Sequence, residues 1–334
     1  MKVLLIRFSS LGDAVLATAA VEALAQDRPD AEFHVLTKPA FREIFLTHPG
    51  VAGCVDWDPK EGLLGLARKI RRERYDWIVD LHGTLRARAL RALTPGARWT
   101  RYRKGTLRRR LAVWLRKPGL LDDTHVVDRY IAALGRLGVR RTRRLPRLYP
   151  GEAHRDRVSE LFAAAGWDGA DRLVALAPGA RWPTKAWPEE HWRALAGRLQ
   201  AGGAFPVVVG GPEDRELADR ILAGGRGANL AGRTSILETA AALARCEVLV
   251  TNDSAPMHMA TAVGTRVVAL FGPTVRGFGF YPLGPADTVV EREIPCRPCS
   301  LHGRIVCPSG PRTCLDSIRP EEILAEVERP GGRI

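Results

Sequence analysis

The sequence predicts an α/β fold made of two successive domains, each built on a parallel sheet. Three observations predict it. Short apolar runs alternate with longer helical patterns from the first residues to about residue 274. The alternation halts over residues 140–150, a basic, Pro-bounded stretch without periodicity, and then restarts. The 334 residues are enough for two cores of ordinary size.

The opening strand is expected over residues 1–8, because Val3, Leu4, Leu5, Ile6 and Phe8 form a nearly continuous apolar run suited to burial on both faces. Residues 14–26, rich in Ala, Leu and Val and free of Gly and Pro, form the first helix. The turn between them is Ser9-Ser10-Leu11-Gly12-Asp13. Ligands of such sheets bind there, outside the carboxyl ends of strands. Gly12 lets the backbone approach a ligand closely. Asp13 falls where the helix dipole favours a carboxylate by about 0.3–1 kcal/mol. It reads either as a helix cap or as a carboxylate base at the mouth of a cleft.

Further strands are expected at residues 32–37, 51–57, 76–81 and 98–102, with helices at 41–46, 62–74, 84–93, 106–117 and 125–137. In the helix at 106–117, Leu107, Leu111, Trp114 and Leu115 make one apolar face ringed by Arg108, Arg109, Arg110, Arg116 and Lys117. Such a face packs on its own domain by default; its basic frame and Trp114 also suit an anionic membrane surface. In the second half, strands are expected at 172–177, 206–209, 248–251 and 266–271. Helices are expected at 188–200, 213–222, 235–245, 256–263 and 319–327.

Charge is uneven. Residues 1–150 carry 30 Lys and Arg against 15 Asp and Glu, and residues 151–334 carry 21 against 22. A first half that basic is expected to meet an anionic partner. No segment reaches 18 uninterrupted apolar residues and no signal-peptide pattern opens the chain, so a cytoplasmic protein is expected. Aromatic platforms do not interleave with the basic residues, which argues against nucleic acid.

Three loops of the second half follow strands and run into helices. The first, Pro178-Gly179-Ala180-Arg181-Trp182-Pro183-Thr184-Lys185, offers amides, a hydroxyl and an amine that suit phosphate. The second, Gly210-Gly211-Pro212-Glu213, carries a carboxylate for a ribose or base. The third, Asn252-Asp253-Ser254-Ala255-Pro256-Met257-His258, has small residues that admit a diphosphate. None matches the GxGxxG or GxxxxGK[ST] patterns of common nucleotide sites.

The opening I-R-F-S-S-L-G-D, the D-L-H-G at 80–83, P-G-A…K-A-W-P, V-G-G-P-E-D, N-D-S-A-P-M-H-M-A-T-A-V-G and F-G-P-T occur in this order over residues 6–274. In them the chain resembles the family 9 glycosyltransferases, the ADP-heptose:lipopolysaccharide heptosyltransferases. The resemblance implies a GT-B fold, two Rossmann-like domains with a cleft between them. Residues 1–150 would bind the acceptor and 151–318 the nucleotide-sugar donor, and the closing segment 319–334 would pack back on the first domain.

By the same resemblance Asp13 is the catalytic base. Lys185, Thr184, Glu213, Asp253, Ser254, Ala255 and His258 line the donor site. Ser10, Gly12, His82 and Arg86 lie on the acceptor side. The implied reaction is an inverting transfer of a heptose from an ADP-sugar to a phosphorylated glycolipid. It would take place at the inner face of an anionic inner membrane, with no cofactor. The alternatives are a nucleic-acid-binding protein and a nucleotide-sugar epimerase or hydrolase.

No carboxylate pair is placed to hold a metal beside the donor, and Asp122-Asp123 reads as a solvated turn. Cys296, Cys299, Cys307 and Cys314 form C-x2-C-x7-C-x6-C, a spacing that permits a Zn or Fe–S site or reduced thiols packing a loop. Cys54 and Cys246 read as lone buried thiols.

Overall fold

The structure, a computed structural model, describes residues 1–57, 59–140 and 145–330. The chain forms two compact units. The first comprises Met1–Gly105 and Thr124–Tyr149; the second comprises Thr106–Asp123 and the chain from Pro150 onward.

The first unit holds five parallel strands, β1 (Lys2–Ile6), β2 (Glu32–Thr37), β3 (Gly53–Asp56), β4 (Trp77–Asp80) and β5 (Arg98–Arg101). Their order is β3-β2-β1-β4-β5. The order reverses direction between β1 and β4, and such a switch point opens a crevice at the carboxyl ends of the two strands. Ile6 lies opposite both Leu36 and Asp80, so β1 and β4 end level. Helix Leu11–Asp27 is buried from Gly12 to Leu24 except at Asp13, which explains its lack of a polar stripe. Phe8, Trp57, Leu66, Ile70 and Leu90 complete a core on β1, β2 and β4.

Two expectations change here. The helix expected at 125–137 is Val126–Ala132 followed by a 3₁₀ turn, Gly135–Leu137. Gly138, at φ 86°, then ends it in the left-handed region open to glycine. Residues 141–144 of the expected linker lie outside the described residues. The stretch after them is tied down, with the Arg147 N–H donating to Thr18 Oγ1 (2.9 Å) and the Tyr149 hydroxyl to Glu22.

The second unit holds six parallel strands, β6 (Arg172–Ala177), β7 (Ala204–Val208), β8 (Ala228–Asn229), β9 (Val248–Asn252), β10 (Arg266–Phe271) and β11 (Thr288–Glu291). Their order, β8-β7-β6-β9-β10-β11, repeats that of the first sheet with one strand added. Its switch point lies between β6 and β9. Helix Glu152–Ala164, β8 and β11 are elements the sequence reading does not contain.

The closing helix, Pro320–Glu328, belongs to the second unit. Its Ile323 and Val327 are fully buried in the core of the second unit with Trp192, Leu195 and Val268. Both sheets are Rossmann-like, and the fold class is α/β, as expected.

Candidate active site

In the first unit the site grows from the end of β1. Arg7, only 5 % exposed, sits one residue beyond the strand. Its Nη1 donates to the Leu81 carbonyl at the end of β4 (2.5 Å), and its Nη2 lies 2.5 Å from Asp13 Oδ2. Asp13 occupies the third position of helix Leu11–Asp27, where it also accepts from the Ser10 N–H (3.2 Å) and Ser10 Oγ (3.0 Å). Tyr130 donates to Asp13 Oδ1 (3.3 Å), and burial lifts its phenol well above the usual range, so it stays a donor. A buried cation and a buried phenol thus hold this carboxylate in one orientation at the switch point.

Across β4, Asp80 Oδ1 accepts from the backbone N–H groups of His82 (2.9 Å) and Gly83 (2.7 Å) and shapes the following loop. Gly83 adopts φ 62°, and a side chain there would press on Lys104. His82 packs edge-on to Phe8 (5.3 Å). Burial, with Arg7 and Lys104 nearby, pushes its imidazole down to about 4, so it is neutral near pH 7. His82 Nδ1 is buried and has no hydrogen-bond partner among the described residues. Arg86 is exposed and lies over the Trp57 ring at 4.8 Å. The structure therefore brings Ser10, Asp13 and His82 to the ends of β1 and β4, with Gly12 buried beside them.

In the second unit a different pairing stands at the switch point. Lys185 Nζ lies 2.5 Å from Asp253 Oδ2, which also accepts from Thr274 Oγ1 (2.6 Å). Asn252, the last residue of β9, is fully buried. Its Nδ2 donates to the Pro178 carbonyl (2.7 Å) and its Oδ1 accepts from the Trp187 N–H (3.1 Å), tying both ends of the loop after β6 to the end of β9. Ser254 caps helix Ala255–Val263, whose N-terminus opens at the same sheet edge; His258 is buried in that helix.

Two expected donor residues stand differently. The Thr184 hydroxyl is engaged with the backbone of Arg304, accepting its N–H (2.7 Å) and donating to its carbonyl (2.9 Å). Glu213 is exposed. The neighbouring Asp214 carboxylate is the one that packs against Gly179 and Gly210, where any side chain would collide with it. Burial raises the Asp214 pKa.

Arg7, Tyr130, Thr274 and Asp214 contact the candidate site residues or the glycines beside them and are not singled out from sequence, and Asn252 is singled out only as part of its loop. Arg7 did leave a signal, since a charge inside an apolar run marks a buried ion pair.

The cysteines of the 296–314 loop line one cavity of about 40 Å³ together with Thr184 and Arg312. All six cysteines are free thiols. Burial pushes Cys314 up to about 11 and Cys54 up to about 12. Among the described residues, no three His, Cys, Asp or Glu side chains are placed to hold a metal ion.

The family model of glycosyltransferase family 9 (heptosyltransferase) matches residues 63–306. Lipopolysaccharide heptosyltransferase 1 of Pseudomonas aeruginosa is 32 % identical over 325 residues, covering 90 % of this chain and 86 % of that protein. Lipopolysaccharide heptosyltransferase 2 of Escherichia coli K12 is 28 % identical, with 83 % and 84 % covered. Among solved structures, the E. coli ADP-heptose LPS heptosyltransferase II superposes with a TM-score of 0.76 at 24 % identity, over 98 % of this chain and 97 % of that one. That likeness carries the fold. Neither the nucleic-acid nor the epimerase reading finds support in these matches. With its motifs in family order and two switch-point sites in two Rossmann-like units, the chain belongs to glycosyltransferase family 9, the heptosyltransferases.

Proposed function

We propose that this glycosyltransferase moves a heptose from ADP-heptose to a phosphorylated lipopolysaccharide-core acceptor, with inversion at the anomeric carbon. The observation that carries the reading is Asp13, held by buried Arg7 at the carboxyl ends of β1 and β4. A sugar hydroxyl has a pKa far above neutrality, so the carboxylate takes its proton only as the new C–O bond forms. The C–O bond to the diphosphate breaks in the same displacement, through an oxocarbenium-like centre. ADP leaves with the bonding electrons, and Lys185 and the helix N-terminus at Ala255 face its added negative charge. Asp253 and Thr274 position Lys185 until the diphosphate arrives.

His82 and Arg86 serve the acceptor, the first as a neutral hydrogen-bonding group and the second as a cation for its phosphates. Acceptor binding falls to the first unit, Met1–Gly105 with Thr124–Tyr149, and donor binding to the second. Among the described residues no helix is long and apolar enough to cross a membrane. We place the reaction on the cytoplasmic face of the inner membrane, where the protein is peripheral. The test is incubation with ADP-heptose and a lipid-linked core acceptor, following ADP release and the anomeric configuration of the product. No acceptor-dependent ADP release would refute the reading.

A further inference from the structure

Helix Thr106–Leu115 is built the wrong way round for a core helix. At about 100° per residue, Leu107, Leu111, Trp114 and Leu115 fall within about 100° of one another. This stripe faces solvent. Leu107 is 81 % exposed, Trp114 78 %, Leu111 42 % and Leu115 41 %. The opposite side, Arg109, Ala112 and Val113, is the one turned inward. Ala112 is fully buried, and Arg109 lies over the Phe280 ring at 5.4 Å. The following turn is fixed as well, with Leu121 against Gly277 and the Asp123 carbonyl accepting from the Tyr281 hydroxyl (3.4 Å). The helix is therefore seated on its own unit by its less apolar side. Its default role, packing the Leu–Trp stripe into a core, does not hold.

The frame of the stripe says what covers it. Arg110 and Arg108 border it on either side, and Arg116, at φ 52°, and Lys117 close the helix. Arg108 also lies 3.6 Å from Asp122. From Arg98 to Lys117 the sequence has nine Lys or Arg and no Asp or Glu. An apolar stripe edged by cations fits a surface with an apolar interior and an anionic rim. An acidic bilayer leaflet has both, at the depth where a Trp indole settles.

We propose that helix Thr106–Leu115 anchors the protein on an anionic phospholipid leaflet, the stripe entering the headgroup–acyl boundary and Arg110, Arg116 and Lys117 meeting the lipid phosphates. This deepens the reading of a lipid-linked acceptor and rests on it. The anchor is peripheral and reversible, since one short helix binds far more weakly than a spanning segment.

The experiment is co-sedimentation of the full chain with vesicles of phosphatidylcholine alone or mixed with phosphatidylglycerol, at low and high salt. Wild type should bind the mixed vesicles, less so at high salt. L107S/W114S should bind them about tenfold more weakly or worse, having lost apolar burial. R110Q/R116Q/K117Q should lose the preference for phosphatidylglycerol. The substituted side chains are exposed, so folding stays intact, and thermal unfolding checks it. Wild-type binding that is absent, or unchanged in L107S/W114S, overturns the anchor. A concentration-dependent dimer abolished by the same change gives the stripe to a second copy and overturns it too. Transfer to a deacylated, water-soluble acceptor separates the two readings. It should be equal in all three proteins, and its absence together with intact vesicle binding would count against heptose transfer and leave the anchor standing.

Discussion

The two units share one strand order and put opposite chemistry at the same place. Each carries, in the loops beyond its switch-point strands, a cation–carboxylate pair at 2.5 Å, Arg7 with Asp13 and Lys185 with Asp253. In the first unit the cation is the buried partner. Arg7 is locked to the Leu81 carbonyl, so it can only hold, and the carboxylate at the helix start is the group presented. In the second the carboxylate is the holder. Asp253 is fixed by Thr274, and the flexible lysine is the group presented. The last residue across the switch differs in the same sense. Asp80 folds its own loop back on itself, while Asn252 ties the loop of the neighbouring strand β6 to the end of β9. A fold thus sets where a ligand goes, and the identity of the immobilised partner sets whether the site offers a base or a cation.

The largest test of that contrast is Asp13→Asn. It keeps the shape and removes the proton acceptor, so turnover should fall about 10²–10⁴-fold. ADP affinity should stay within a few-fold, because the proposed donor groups lie in the second unit. Turnover near wild type in a folded variant would strip Asp13 of the base role and leave it a cap.

Asn252→Ala tests the tie between β9 and the loop after β6. It orphans the Trp187 N–H and the Pro178 carbonyl, both in a buried setting. At about 1–3 kcal/mol for each unsatisfied group, the loss should be about 2–6 kcal/mol of stability, read as a lower urea midpoint. A loss under 1 kcal/mol would mean that water replaces the amide.

Lys185→Ala tests the presented cation. A charge-assisted contact to phosphate contributes about 1.5–3 kcal/mol, so the Kd for ADP should rise roughly 10- to 150-fold while adenosine binding barely changes. Equal losses for both ligands would place Lys185 at the nucleoside. Asp253→Asn should weaken ADP less, since it leaves the lysine in place without its holder.

What the sequence revealed follows from how local each signal is. Strands 172–177 and 266–271 were legible to the residue, because fully buried parallel strands read as unbroken apolar runs. β8 has only two residues, and the edge strand β11 is half-buried Thr-Val-Val-Glu, too short and mixed for a periodicity. Helix Glu152–Ala164 buries only Val158 and Phe162, one turn apart, so its pattern is faint. The positions of Asp13 and Lys185 beyond their strands are legible because strand, turn and helix are contiguous in the chain. Tyr130, 117 residues from Asp13, was not, since only the tertiary fold brings them together. The stripe on helix Thr106–Leu115 was readable as amphipathic, but its outward orientation was not. Periodicity gives a face and leaves its direction open.

His82 gives the smallest effect and the sharpest check on the first site's electrostatics. Its pKa is about 4 in the folded protein, against an ordinary value near 6.5. Burial is the main cause. Arg7, Lys104 and Arg86 add to it, and Asp13 opposes. Between these values the unfolded chain holds a proton that the folded protein does not. Stability from this residue is therefore fully present above pH 6.5 and is lost as pH falls toward 4. Glu22, held down to about 2 chiefly by its hydrogen bond to His48, loses its contribution as pH falls from about 4.5 toward 2, mostly below that window. Thermal unfolding from pH 4.5 to 7 should show a shallower rise in Tm for His82→Asn than for wild type. Groups that titrate alike in both proteins cancel in the difference. The imidazole also stays neutral through the working range, so the pH–rate profile should show no His82 limb near 6.5. A slope unchanged in His82→Asn would mean that the ring is solvated and that Arg7 and Lys104 do not act on it.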